Sequence, residues 1–319
     1  MPNPQLSIII VNYNTKDDCI KCIQSIYDRI LTISYEVLVC DNGSSDGSIE
    51  AINREFPWVH TIDNKQNLGF GSANNIGAAH AKADILFFLN PDTVIDHGIE
   101  QMCSYMIEQK DIGLIGPVVL DQNNSRNLFY PPVYSNIFLQ LTDLVLTPVA
   151  RLGTTWKKLV YNRNIGRNKI FDTKYIIGCA MMFKRSAFDA VGGFDRDIFM
   201  YGEEFDVGRR LRKNGYRIQI VPHAAIIHFG GHSTNQIPSD RILAIGTQSF
   251  KRLLKKHFPH TWHCRYTIEA LTHIRQALSA CSKIIINFIV RKDNAMNYQH
   301  LRSHINQFKI MRRIVKEKD

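Results

Sequence analysis

Residues 85 to 94 read ILFFLNPDTV, so five apolar residues run directly into Asn90, Pro91 and Asp92. The apolar run has the composition of a buried strand. Pro91 has no N–H to continue a strand ladder and biases Asn90 toward an extended shape, so the strand must end here and present Asp92 beyond its carboxyl end. Alone, the triplet is a turn signal, because Asn-Pro favours turns and an Asp there accepts backbone N–H bonds. Other acids recur in equivalent places: Asp41 closes the apolar run YEVLVCD, and Glu203, Glu204 and Asp206 cluster in YGEEFD, where a helix should begin. Several carboxylates converging on one crevice are costly unless a cation, a hydroxyl-rich ligand or a proton-transfer role compensates.

Alternating elements must position these acids. LSIIIVNYN (6–14) reads as a buried strand, followed by Thr15 as a helix cap with Asp17 and Asp18 in the first turn and Ile20, Ile23, Tyr27 and Ile30 along one face. The strand ending at Asp41 leads through a Gly- and Ser-rich turn to a helix from Ser48, then to a short strand near Val59 to Ile62. A glycine-punctuated loop, NKQNLGFGSANNIGAAHAKAD, enters a small-residue helix just before the opening strand. GLIGPVVL (113–120) forms another strand, whereas 121–170 show no clear period and form a variable lobe with helix around Ile137 to Val149. KYIIGCAMMFKRSAF is a strand running into a helix, Glu203 to Lys213 a helix closed by Asn214 and Gly215, and two short strands follow, ending at His228. Such alternation predicts an α/β fold with a mostly parallel central sheet flanked by helices, whose ligand crevice lies beyond the carboxyl ends of the strands.

A chain of 319 residues is long enough for one such domain, expected over 1–262, plus an extension over 263–319. The seven cysteines are scattered and mostly in apolar runs, which indicates reduced core thiols; Cys19 and Cys22 lack the further pair that a zinc site needs. Residues 251–319 hold 15 Lys and Arg against 4 Asp and Glu, a net of +11, so residues 1–250 carry a net of −1. Basicity confined to a tail argues against a nucleic-acid reader and for docking on something anionic. Ile274, Ala277, Leu278, Cys281, Ile285, Phe288 and Ile289 form a helical stripe with Arg275, Lys283, Arg291 and Lys292 nearby, suited to an anionic membrane interface or to packing on the domain or on a partner subunit such as a second copy. The N-terminus lacks the basic and apolar regions of a signal peptide and no run reaches a membrane-spanning length, so the expected location is the cytoplasm, peripheral on the inner face of the membrane.

The motifs SIIIVNYN, VLVCDNGSSDGS, NLGFGSANNIG, FFLNPDT, GGFDRDIFMYGEEFDVGRRLRKNGY and HFGGHS, in this order and spacing, resemble the inverting, GT-A type family 2 glycosyltransferases, in particular the bacterial rhamnosyltransferase-like branch that builds cell-surface polysaccharide. The resemblance covers about residues 5 to 260. It implies that Asp41 binds the base or ribose of a nucleoside diphosphate sugar and that Asn12, Asn67, Gly69, Asn74 and Asn90 line the same pocket. From the residues alone, Gly69 serves a tight turn and the amides cap a helix. Asp92 stands where many relatives end a D-x-D motif, which implies that it holds Mg2+ or Mn2+ against the donor diphosphate, with His228 completing that site. In YGEEFD the second acid, Glu204, takes the position of the general base, with Glu203 and Asp206 able to share the work; otherwise these acids simply favour a helix start, paired with Arg209 or Arg210. The implied reaction is a single displacement onto a saccharide or lipid-linked acceptor. The competing readings are a non-catalytic nucleotide-sugar binder or scaffold, and a nucleotidyltransferase, against which the lack of a basic, Gly-rich triphosphate loop counts.

Overall fold

In the computed structural model of the chain, residues 3–126, 163–174, 176–230, 238–289 and 294–316 are described. The expected helix around Ile137 to Val149 and the end of the HFGGHS motif lie outside them. In chain order the elements are β1 (Leu6–Asn12), α1 (Lys16–Arg29), β2 (Tyr35–Asp41), α2 (Ser48–Glu55), β3 (His60–Asp63), α3 (Phe70–His80), β4 (Ile85–Leu89), β5 (Thr93–His97), α4 (Ile99–Glu108) and β6 (Ile112–Leu120). Then come β7 (Phe171–Asp172), β8 (Ala180–Lys184), α5 (Arg185–Ala190), α6 (Glu203–Lys213) and β9 (Arg217–His228), and finally α7 (Ser239–His257), α8 (Trp262–Ile289) and α9 (Ala295–Lys316). The chain divides into two compact units, the second of which contains α7, α8 and α9.

The first unit is built on one sheet in the order β3-β2-β1-β4-β8-β6-β9-β5, with β7 against β9. β3, β2, β1 and β4 run parallel, and their register brings Asn12, Asp41 and Asp63 side by side at the carboxyl edge. β8 inserts antiparallel between β4 and β6, so the sheet is mixed beyond its parallel wing. Strands covered on both faces must be apolar at every position, not at alternate ones. Ile8, Ile10, Val37, Val39, Phe87 and Met182 meet Cys19, Cys22, Ile23, Met102 and Met106 of α1 and α4 on one side. Ile9, Leu38, Cys40, Phe88 and Phe183 meet Ala73, Phe188, Phe194, Val207 and Leu211 on the other. Cys19 and Cys22 are thus buried thiols of the core, without a disulfide.

Two local expectations are corrected. The segment after α6 is one 12-residue strand, β9, not two. Its register against β6 shifts where Pro117 faces Val221 and Val118 faces Ala225, because Pro117 and Pro222 have no N–H to give to a ladder while the backbone stays extended. Thr15 precedes α1 but does not cap it: its hydroxyl donates to Asn12 Oδ1 at 2.7 Å. The cap comes from Asp46, whose carboxylate accepts from Lys16 N at 3.0 Å and from Ser48 N at 3.1 Å, tying the starts of α1 and α2 to one side chain.

In the second unit Phe250 and Leu254 of α7, Tyr266 of α8 and Met311 of α9 form a small core, and Tyr266 Oη donates to Met311 O at 2.8 Å. The expected domain boundary at residue 262 therefore falls between two helices that pack on each other. Among the described residues no helix is long and apolar enough to cross a membrane.

Helix α3 approaches the sheet through Gly77. A Cβ there would lie 2.4 Å from Ile9 Cγ2 and 2.9 Å from Cys40 Sγ, inside a packed core. Gly77→Ala should lower stability by about 1–3 kcal/mol, read as a lower urea midpoint at unchanged slope; an unchanged midpoint would show that α3 can retreat from the strands.

Candidate active site

Asn12, Asp41 and Asn90–Asp92 stand at the carboxyl ends of β1, β2 and β4, neighbouring strands of the parallel wing. A polar residue buried at a strand end must find a partner off the ladder. Asp41, 1% exposed, accepts from Asn12 Nδ2 at 2.8 Å and from Ser44 N at 2.7 Å. Asn42 continues the edge: its amide donates to Gly69 O at 3.2 Å and accepts from Asn64 Nδ2 at 3.0 Å, while Asn67 Oδ1 accepts from Gly69 N at 3.0 Å. Three consecutive motif segments and the end of β3 are thus stitched into one polar floor. Asn42 and Asn64 were not singled out in the sequence, although each directly follows a strand-end Asp, which is the signal that could have found them. Asn74 joins less directly, since its amide donates back to Phe70 O of its own helix at 3.1 Å.

Gly69 is required twice. Its φ of +82° is open to glycine, and a Cβ there would lie 2.3 Å from Phe199 O. The same carbonyl accepts from Phe70 N at 2.9 Å, which joins the start of α3 to the turn preceding α6. That turn is anchored further by Asn75, whose side chain exchanges two 2.9 Å bonds with the backbone of Phe194. The Phe194 ring packs on Phe88 at 5.1 Å between centroids, two residues before Asn90. The acid-bearing turn and the NPD strand therefore share an aromatic cluster, each such pair contributing about 0.5–1.5 kcal/mol beyond its buried area.

β5 pairs with β9 so that Thr93 faces His228, and Phe229 N donates to Asp92 O at 2.9 Å. Asp92 Oδ1 and His228 Nε2 meet at 3.3 Å, both largely buried. Burial opposes the charged imidazole, but hydrogen bonding to Asp92 and to Cys179 outweighs it and raises His228 from the usual 6.5 to about 10. Cys179 appears in the sequence as an ordinary core thiol; its carbonyl also accepts from Asn90 N at 2.9 Å, so it braces both sides of the pair. Asn90 Oδ1 is buried without a hydrogen-bond partner.

Glu203 and Glu204 occupy the first turn of α6, entered through Tyr201 (φ 74°) and Gly202 (φ 101°), where acids are favoured by the helix dipole. Glu204 is partly exposed, and its Oε2 lies 3.9 Å from where a Cβ of Gly178 would stand, beside Cys179. Burial raises its carboxyl, with backbone N–H groups of Glu204 and Gly202 opposing. Glu203 is 3% exposed, with Oε1 unpartnered; burial first, then the charges of Glu204 and Asp206, push it well above the ordinary carboxylate range. Asp206 is turned to another task. It is fully buried and held by the Arg210 guanidinium, with Nε at 2.8 Å, so it is an ion pair of the fold and not a free base.

Asp92 supplies a hard carboxylate oxygen, His228 an imidazole nitrogen facing it, and Asn90 an amide oxygen that lacks a partner. That set suits Mg2+ or Mn2+. Among the described residues no group of three or more His, Cys, Asp and Glu is assembled for a metal, so the remaining ligands would be diphosphate oxygens or water.

Two outcomes follow for the metal-free protein. A folded-state value of about 10 against 6.5 unfolded means that charged His228 contributes its full stabilisation below pH 6.5 and loses it as pH rises through 10. The melting temperature should fall over that window, and His228→Gln should flatten the dependence; a wild-type curve that does not fall would refute the pairing. Asp206→Ala leaves Arg210 without its buried partner and should cost about 3–5 kcal/mol in denaturant unfolding.

Residues 7–192 match the family model described as Glycosyl transferase family 2, and residues 168–233 match one described as the N-terminal domain of galactosyltransferase. The N-acetylglucosaminyl-diphospho-decaprenol L-rhamnosyltransferase of Mycobacterium tuberculosis is 28% identical over 260 residues, covering 75% of this chain and 82% of the relative. Rhamnosyltransferase WbbL of Escherichia coli is 26% identical over 261 residues, covering 78% and 92%. Among solved structures, mannosyltransferase PcManGT from Pyrobaculum calidifontis, in complex with GDP-Man and Mn2+, superposes with a TM-score of 0.59 at 13% identity over 100% of this chain and 89% of that chain. GalNAc-T7, crystallised with UDP, GalNAc and Mn2+, gives 0.53 at 15% identity over 78% of this chain and 48% of that one, so this chain spans about half of it. At such identities the structures show the fold alone, the GT-A type. With a family match running through β1, Asp41, Asp92 and β8, the chain belongs to glycosyl transferase family 2.

Proposed function

We propose that the protein transfers a hexose, of the rhamnose class, from a nucleoside diphosphate sugar to a saccharide or lipid-linked acceptor, with inversion, in building a cell-surface polysaccharide. The family and the two rhamnosyltransferase relatives support the class of reaction. The single observation that carries the reading is the facing of Asp92 and His228 at 3.3 Å on the carboxyl edge of the sheet.

In this reading the polar floor of Asn12, Asp41, Asn67 and Gly69 receives the nucleotide. A carboxylate offers about four lone-pair sites. Asp41 uses one oxygen on Asn12 and the other on Ser44, which leaves capacity for a ribose hydroxyl or a base N–H. Asp92 and His228, with Asn90 beside them, would hold the divalent cation, which when bound neutralises charge on the departing diphosphate. Glu204 takes the proton of the acceptor hydroxyl as that oxygen attacks the anomeric carbon. Its raised carboxyl pKa brings the base closer in proton affinity to the working pH, and its carboxyl tip lies beside Gly178, the residue before Cys179. Glu203 is buried out of reach of an acceptor, with its carboxyl raised by that burial, and it packs under Gly71, whose Cβ would lie 3.6 Å from Glu203 Cγ. A single displacement requires no protein nucleophile.

The test is a panel of nucleotide sugars with Mg2+ or Mn2+. One donor should be hydrolysed slowly without acceptor, and Asp92→Ala should abolish this. Glu204→Gln should keep donor binding but slow transfer by about 10²–10⁴-fold, and wild-type transfer should fall toward low pH with a midpoint above 4.5, the ordinary value for Glu. Transfer by Glu204→Gln at the wild-type rate would remove Glu204 from the base position, and a panel without any bound donor would overturn the proposal.

A further inference from the structure

Helix α9 has two unlike sides. Its inner side carries Met311 and Ile314, each 1% exposed, and Gln307, whose amide donates to Thr247 Oγ1 of α7 at 2.9 Å. On the opposite side Tyr298, Arg302, Ile305, Lys309, Arg312 and Lys316 are all exposed. Their spacing of four, three, four, three and four residues keeps all six side chains on one line of a helix, about 27 Å long at 1.5 Å per residue. No Asp or Glu occurs between Ala295 and Lys316, so the four cations on the line are not offset by any acid of their own helix. Periodicity in the sequence draws attention to α8 instead, but there Ile274, Ala277 and Cys281 are half-buried, with Leu278 exposed.

A straight row of cations fits a flat anionic surface, each Lys or Arg reaching a phosphate while its aliphatic stem lies along the interface. Tyr298 and Ile305, set within the row, match the boundary between headgroups and acyl chains. A nucleic acid would be served by the cations through its phosphates, and an exposed aliphatic side chain in mid-row adds nothing to that contact. We propose that this face of α9 docks the protein on an anionic phospholipid bilayer. The purpose of such docking rests on the lipid-linked acceptor reading above; the docking itself is measured without it.

The experiment is co-sedimentation of the full chain with vesicles of phosphatidylcholine containing phosphatidylglycerol, against phosphatidylcholine alone. Wild type should bind the anionic vesicles at least about tenfold better and lose this in raised salt. The variant Arg302→Gln, Lys309→Gln, Arg312→Gln, Lys316→Gln should lose about tenfold or more, with its circular dichroism and donor hydrolysis unchanged. The charge-keeping exchange Arg302→Lys, Lys309→Arg, Arg312→Lys, Lys316→Arg should retain binding, and Tyr298→Ser with Ile305→Ser should weaken it. Equal sedimentation of wild type and the Gln variant on anionic vesicles would overturn the proposal, as would wild type that binds single-stranded RNA but neither vesicle. Vesicle binding as expected with no sugar transferred from any donor would sink the activity reading and leave the docking standing.

Discussion

A carboxylate taken out of water must be answered by a donor, and the first unit is organised by how each of its buried acids meets that demand. Asp41 is answered by an amide and a backbone N–H, Asp92 by an imidazole, and Asp206 by a guanidinium. These three answers differ in what they leave available. The Asp206–Arg210 pair is closed, and the Arg210 guanidinium also bonds Val191 O, so it locks α6 to the turn before it. Asp41 keeps lone pairs for a ligand. Asp92 and His228 satisfy each other, and they are the residues that would hold a divalent cation. Glu203 is the exception: one of its oxygens finds no donor, and burial pushes its carboxyl well above the ordinary carboxylate range.

The same edge depends on two loops being held against each other. The NLGF segment and the turn before α6 meet at Phe199 O, where only glycine at position 69 leaves room. Behind them Phe88, Phe183, Phe188 and Phe194 form a cluster with centroids 5.0 to 6.0 Å apart. The turn itself includes a non-glycine residue, Tyr201, at a φ of 74°, a conformation that costs on the order of 1–3 kcal/mol and persists where the surroundings impose it. Rigid neighbours on both sides supply that imposition, and the result is a helix start whose two glutamates are held in contrasting environments. One is buried and the other partly exposed, so adjacent residues of identical chemistry meet different surroundings.

The described helices of the second unit follow a different logic. Their shared core is small, formed around Phe250, Leu254, Tyr266 and Met311, and much of the outer surface is basic. A polar bond runs through that core, as the buried Lys251 ammonium donates to Ile314 O at 3.0 Å. The inner side of α9 is thereby fixed, and its orientation decides which charges face outward.

Strand ends at Asn12, Asp41 and Leu89 were legible in the amino-acid order because strands buried on both faces must be unbroken apolar runs, and a polar residue can appear only where they stop. The close of α6 at Asn214 and Gly215, with Gly215 at a φ of 86°, was legible for the same local reason. These signals lie within a few residues of one another, so the sequence by itself determined the elements of the parallel wing, the helix α6 and which acids stand at their ends. It did not determine that β8 enters antiparallel beside β4, that β5 pairs with β9, or that Cys179 touches the His228 imidazole; it left the acids of α6 with either Arg209 or Arg210, and only the resemblance put His228 with Asp92. Partners such as Asp92 and His228 lie more than a hundred residues apart, and nothing in the local pattern of either records the other. Only the assembled sheet, through the pairing of β5 with β9, brings them within bonding distance, because a buried charge accepts whichever donor the packing delivers.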